Sequence, residues 1–126
     1  MNIETYQRDD YWVFKFREDL GLGSDLSVLK RMFEEKINMG AYKIALAFTK
    51  GSYLYTRSIA TLVVCFEMIQ ERGGQLALIN PNKSIRDILA IIDFPKLIRV
   101  CRNEEELSLQ PVKRKVQSQK IQSQKV

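Results

Sequence analysis

The chain has 126 residues, 45% of them apolar, enough for one compact domain and too few for two ordinary ones. It carries 20 Lys and Arg against 15 Asp and Glu and contains no histidine, which removes the commonest general base and zinc ligand and argues against an enzyme. No apolar run reaches the roughly 18 residues a membrane span needs, and the opening MNIETYQRDD is polar and mixed in charge, so a cytoplasmic protein without a secretory signal is expected.

The charge is unevenly placed. Five of the 20 cations, Lys113, Arg114, Lys115, Lys120 and Lys125, fall in residues 111–126, which hold no acid, so the other 15 cations balance the 15 acids of residues 1–110. A neutral body gives no reason to expect a specific nucleic-acid partner. Within the tail, VQSQK is followed by IQSQK, a five-residue repeat that matches neither a helical face nor a strand face. The reading is a domain over 1–110 and a flexible basic Gln/Ser/Lys tail over 111–126.

In chain order, a short first strand over 3–7 turns at Asp9-Asp10 into YWVFKF, where Tyr11, Val13 and Lys15 share one face and Trp12, Phe14 and Phe16 the other. Leu26, Leu29, Met32, Phe33 and Ile37 then recur at helical spacing, with Ser24 placed to cap, Asp25 near the positive end and Gly40 to stop the helix. YKIALAFT is nearly unbroken in apolarity, as expected of a central strand covered on both faces. From Arg57 onward Ile59, Leu62, Val63, Phe66 and Ile69 describe a second helix, ended by Gly73-Gly74. QLALIN is a further strand, Asn80-Pro81-Asn82 a helix start, SIRDILAIIDF a third helix stopped by Pro95, KLIRVC a last strand and RNEEELSL a short acidic helix. Alternating strands and helices predict an α/β fold with a small mixed, mainly parallel sheet, helices packed on it, and the opening hairpin at one edge.

Little in this order carries chemistry. Cys65 and Cys101 stand 36 positions apart in apolar surroundings, without metal or redox spacing, and read as reduced core residues. The GLG at 21–23 lacks the rest of a dinucleotide loop. Glu104, Glu105 and Glu106 fan around a helix start, and Asp87 and Asp93 lie on different sides of theirs, so neither set converges on a metal. No catalytic residue, metal site or cofactor is expected.

The succession from DDYWVFKF through ALAFTKGSYLYTRSIATLVV to GGQLALINPNKSIRDILAIIDFPKLIRVCRNEEEL resembles the STAS domain, the fold of bacterial anti-sigma factor antagonists and of the cytosolic tail of sulphate transporters. The likeness covers residues 3–109. In the antagonists, a loop reading aspartate, serine, serine, glycine is phosphorylated on the serine after the aspartate by a partner that is both kinase and anti-sigma factor. Laid on that pattern, Tyr55 falls at the aspartate, Thr56 at the phosphorylated serine, Arg57 at the second serine and Ser58 at the glycine.

The resemblance implies a regulatory protein-binding module. It would dock on a kinase-type anti-sigma factor, or another STAS-binding regulator, through Lys50, Ser52, Tyr53, Tyr55, Arg57 and Ile59, with Thr56 and Ser58 as candidate phosphoacceptors. Physically, a phosphate on Thr56 would add up to about two negative charges at the positive end of a helix. The same hydroxyl also suits a plain helix cap, worth about 1 kcal/mol. Tyr55 and Arg57 in place of small polar residues favour an alternative: a degenerate, unphosphorylated STAS scaffold within a larger assembly or a membrane transport complex, with the basic tail as an anchor.

Overall fold

A computed structural model describes residues 1–91 and 98–109. Five strands, β1 (Ile3–Arg8), β2 (Tyr11–Phe16), β3 (Lys43–Ala47), β4 (Gln75–Ile79) and β5 (Ile98–Cys101), form one sheet in sequence order. β1 and β2 pair antiparallel through a turn in which Asp9 takes a positive φ of 55°, and every later pair is parallel. The helices α1 (Ser27–Asn38), α2 (Thr56–Glu71) and α3 (Lys83–Ile91) follow β2, β3 and β4, and a 3-10 helix (Glu104–Ser108) follows β5. The expected mixed α/β sheet is the observed one, with β3 at its centre.

The two faces of the sheet differ in residue size. Along β3 and β4 the chain alternates Ile44 and Leu46, or Leu76 and Leu78, with Ala45 and Ala47, or Ala77. The large residues, joined by Phe14 and Phe16, pack with Phe33 and Ile37 of α1, Leu62, Cys65 and Ile69 of α2, and Ile85 and Leu89 of α3. Phe14 meets Phe33 edge to face at 5.5 Å. The alanines lie on the opposite face with Tyr11, Val13, Ile79 and Cys101, against which the 3-10 helix places Leu107. All three helices therefore share one face, and the 3-10 helix covers part of the other, so β3 is covered on both faces as its apolar run predicted.

The 3-10 helix is tied down by polar contacts. The Arg99 guanidinium donates to the carbonyls of Glu106, Leu107 and Leu109, and the Tyr6 hydroxyl donates to Glu104, which also pairs with Arg8 at 3.6 Å. Desolvation and this bond to Glu104 push the Tyr6 phenol well above its ordinary range. Glu104 is thus used within the fold, as is Glu106, whose carboxylate accepts from Arg102.

The helix stops at Gly40 and Gly73 follow the sequence, and the start of α1 does not. Gly40 and Gly73 have φ of 93° and 70°, and each closes a helix with paired back-bonds, Gly40 N–H to Ile37 and Ala41 N–H to Lys36, then Gly73 N–H to Gln70 and Gly74 N–H to Ile69. Ser24, expected to cap α1, does not. Its hydroxyl accepts from Gly21 N–H and closes the preceding loop, while Asp25 Oδ1 accepts from Ser27 N–H two residues on, the short-range bonding that aspartate side chains favour. The helix starts later, with Leu26 at its N-cap and no side-chain cap. The stop at Pro95 and the tail reading lie outside the described residues. At the other end of the sheet Lys36 Nζ lies 3.8 Å from the centre of the Trp12 ring, a cation–π contact.

Both cysteines are buried and free, as their apolar surroundings predicted. Burial pushes the Cys65 thiol up to about 12. A raised folded value gives stability that is complete below the unfolded value, about 8.5, and is lost as pH rises towards the folded one. Urea midpoints measured from pH 7 to 11 should therefore fall above pH 9, and less steeply in Cys65→Ala; equal slopes would clear the thiol of any part.

Candidate functional site

The C-terminal ends of the four parallel strands and the starts of the helices that follow them lie at one end of the molecule, the end at which open α/β sheets place their sites. The loop from Phe48 to Tyr55, between β3 and α2, sits there. Its backbone is fixed from two sides. From the β2–α1 connection, Leu20 N–H donates to the Ser52 hydroxyl at 3.0 Å, Tyr53 N–H donates to Leu20 O at 2.8 Å, and Asp19 Oδ1 accepts from the Thr49 hydroxyl at 2.5 Å. From the start of α3, the Asn82 amide donates to Lys50 O at 2.9 Å and to Ser52 O at 2.8 Å, while its Oδ1 accepts from Ile85 N–H and caps the helix. Leu54, buried, anchors the last part of the loop.

This pinning decides which candidate side chains face outward. Tyr53 and Tyr55 flank Leu54 and are 44% and 41% exposed, their rings 4.8 Å apart and inclined by 51°. Lys50, Thr56 and Arg57 are exposed, and Ile59 is half-buried against the core. Ser52 and Ser58 are not surface groups: they are 2% and 1% exposed. Ser52 holds the loop, its hydroxyl 2.7 Å from that of Thr49. Ser58, within the first turn of α2, is buried as well, so neither the candidate phosphoacceptor hydroxyl of Ser58 nor the candidate contact at Ser52 is presented at the surface in this conformation.

Thr56 also departs from expectation. It is the first residue of α2, Tyr55 is the N-cap with extended backbone, and no side chain caps the helix. Among the described residues nothing bonds the Thr56 hydroxyl. The plain-cap reading of Thr56 therefore fails, and the hydroxyl is left facing solvent at the positive end of a 16-residue helix. Asp25, one connection away, has its carboxyl held below the usual range first by the Ser27 N–H and hydroxyl, then by the charges of Arg57 and Arg31. Sequence reasoning missed Asp19 and Thr49 altogether, and it saw Asn82 only as a helix start.

A family model described as the STAS domain matches residues 2–107. The chain belongs to the STAS domain family. Its STAS domain is 23% identical over 107 residues to a candidate anti-sigma factor antagonist of Thermotoga maritima, a match covering 85% of this chain and 94% of that protein. A Thermotoga neapolitana homologue is 25% identical over 71 residues, 56% of this chain and 63% of that one. Among solved structures, a crystal structure of a Thermotoga maritima candidate antagonist superposes with a TM-score of 0.72 at 21% identity, covering 83% of this chain and 90% of that one. The Bacillus cell-fate determinant SpoIIAA in its phosphorylated form superposes with 0.66 at 14% identity, covering 84% and 96%. The fold is therefore that of the anti-sigma factor antagonists, and among the described residues no helix is long and apolar enough to cross a membrane.

Proposed function

We propose that this STAS domain is a cytoplasmic regulatory module that binds a kinase-type anti-sigma factor through the loop and first turn at 50–59, and that phosphorylation of Thr56 switches this binding. The observation that carries the reading is the Thr56 hydroxyl, exposed and unbonded at the start of α2 on a loop pinned by Ser52 and Asn82. A modifying enzyme needs an acceptor that the fold does not use, and a pinned loop presents that acceptor in one geometry. Phosphate there adds charge and three acceptor oxygens to a contact surface, which repels an acidic neighbour and costs desolvation.

Binding of the anti-sigma factor should survive Thr56→Ala and weaken about tenfold, about 1.4 kcal/mol, in Thr56→Asp. Isothermal titration with the purified partner measures both. Equal affinities for the two variants would remove the switch.

One observation favours a second reading, an unphosphorylated scaffold subunit of a larger assembly. Tyr55 and Arg57 flank the acceptor with bulk and charge, and the Tyr53–Tyr55 pair makes a permanent contact surface. On that reading the intact mass of the protein from its native source carries no phosphate under any growth condition, whereas a switch requires a species heavier by one phosphate.

A further inference from the structure

We propose that the aromatic and cationic end formed by Tyr53, Tyr55, Lys50, Arg57 and Arg31 recognises an acidic segment of a partner protein that also carries apolar side chains to cover the two tyrosine rings. The inference rests on the reading above for this end being a docking surface, and adds the chemistry of what docks.

Three placements converge. α1 and α2 each run back between parallel strands, so both helices begin at the same end, with Arg31 in the second turn of α1, Arg57 in the first turn of α2, and both guanidinium charges acting on Asp25. The acids and the cations of this end differ in how they are used. Asp19 accepts from the Thr49 hydroxyl and Asp25 from Ser27 N–H, so each already has a partner within the fold. Lys50, Arg57 and Arg31 are exposed and, among the described residues, form no ion pair, so their charge is open to a partner. Along the chain between Lys50 and Arg57 stand two half-exposed aromatic rings, on a loop held to Leu20 and Asn82 by four hydrogen bonds and to Asp19 by the Thr49 hydroxyl. Rigid tyrosines provide contact area at little entropic cost, and complementary charge steers and selects the partner.

The same features exclude other occupants. The chain's own tail carries only cations and would meet like charge. A second copy packed about a two-fold axis would set this cationic surface against itself. Single-stranded nucleic acid needs aromatic faces spaced for successive bases, but these two rings lean on one another and carboxylates flank the cations.

Selection of phage-displayed random twelve-residue peptides on the full chain tests the proposal. Binders should be enriched in Asp and Glu beside Leu, Phe or Trp. The best of them, synthesised with a fluorophore, should lose tenfold or more in affinity to Arg57→Glu and to Tyr55→Ala, and nothing to Arg72→Glu at the far end of α2. The absence of binders, binders without acid enrichment, affinity indifferent to Arg57→Glu, or tighter binding of a twelve-residue oligothymidylate would each overturn it. Acidic binders together with equal affinity of Thr56→Ala and Thr56→Asp for the anti-sigma factor would sink the switch and leave this inference standing.

Discussion

Asn82→Ala should cost about 2–3 kcal/mol and loosen the loop at 49–55 more than any other part of the molecule. One side chain makes three bonds there: its Oδ1 caps α3 by accepting from Ile85 N–H, and its amide donates to the carbonyls of Lys50 and Ser52. A lost cap costs about 1 kcal/mol, and each partly shielded side-chain bond about 0.5–1.5 kcal/mol. Asn82→Asp separates the two roles. It keeps the acceptor for Ile85 N–H but turns a carboxylate oxygen towards two carbonyl oxygens, so α3 should remain capped while the loop opens. Urea denaturation gives the global loss and amide hydrogen exchange locates it. If exchange of the Ser52 and Tyr53 amides is unchanged in Asn82→Asp, the loop is held from the Leu20 side alone. Because the loop presents Tyr53, Tyr55 and Thr56, the docking proposed above requires that Asn82→Asp weaken partner binding.

Gly74→Ala should be at least as damaging to stability, about 3 kcal/mol. A Cβ at this position would lie well inside van der Waals contact distance of the Tyr42 carbonyl oxygen and 2.8 Å from Ile69 Cγ1. The carbonyl is backbone, and it accepts from Gln75 N–H at 2.7 Å where β3 and β4 begin. It cannot swing aside without disturbing that bond, so the methyl overpacks a site with no give, which costs about 1–3 kcal/mol and sometimes more. Gly73→Ala provides the comparison. Gly73 has a φ of 70° and no atom within 4 Å of the added carbon, so only the conformational penalty of about 1–2 kcal/mol applies. A chemical denaturation midpoint lower for Gly73→Ala than for Gly74→Ala would show that the turn conformation, and not the close approach to Tyr42, dominates.

Much of the fold was legible because local pattern and tertiary outcome agree. KIALA and QLALI are apolar after their first residue, and each became a strand buried from its second residue on, in the expected position. The size alternation within them marks the division between the helix-bearing face and the thin one. Ser24 and Asp25 show the limit of capping rules: both are good caps by type, and the winner was decided by where the Gly21–Ser24 turn let the helix begin. The site was legible only in part. Thr56 could be located by the loop pattern, but burial of Ser52 and Ser58 depends on contacts 32 residues away and on which helical face meets the sheet. Asp19 and Thr49 carried no sequence signal, because a bond between residues 30 apart leaves no periodic trace.

The position of Trp12 has a practical consequence for anyone following these variants in solution. It is the one tryptophan of the chain, and it stands near the start of β2, capped by the Lys36 ammonium, at the end of the sheet remote from Thr56. Intrinsic emission will therefore report loss of the sheet faithfully and remain silent when a partner occupies the loop. Binding at Tyr53 and Tyr55 calls for a probe placed at that end, whereas the native fluorophore serves as an internal control that the fold has survived.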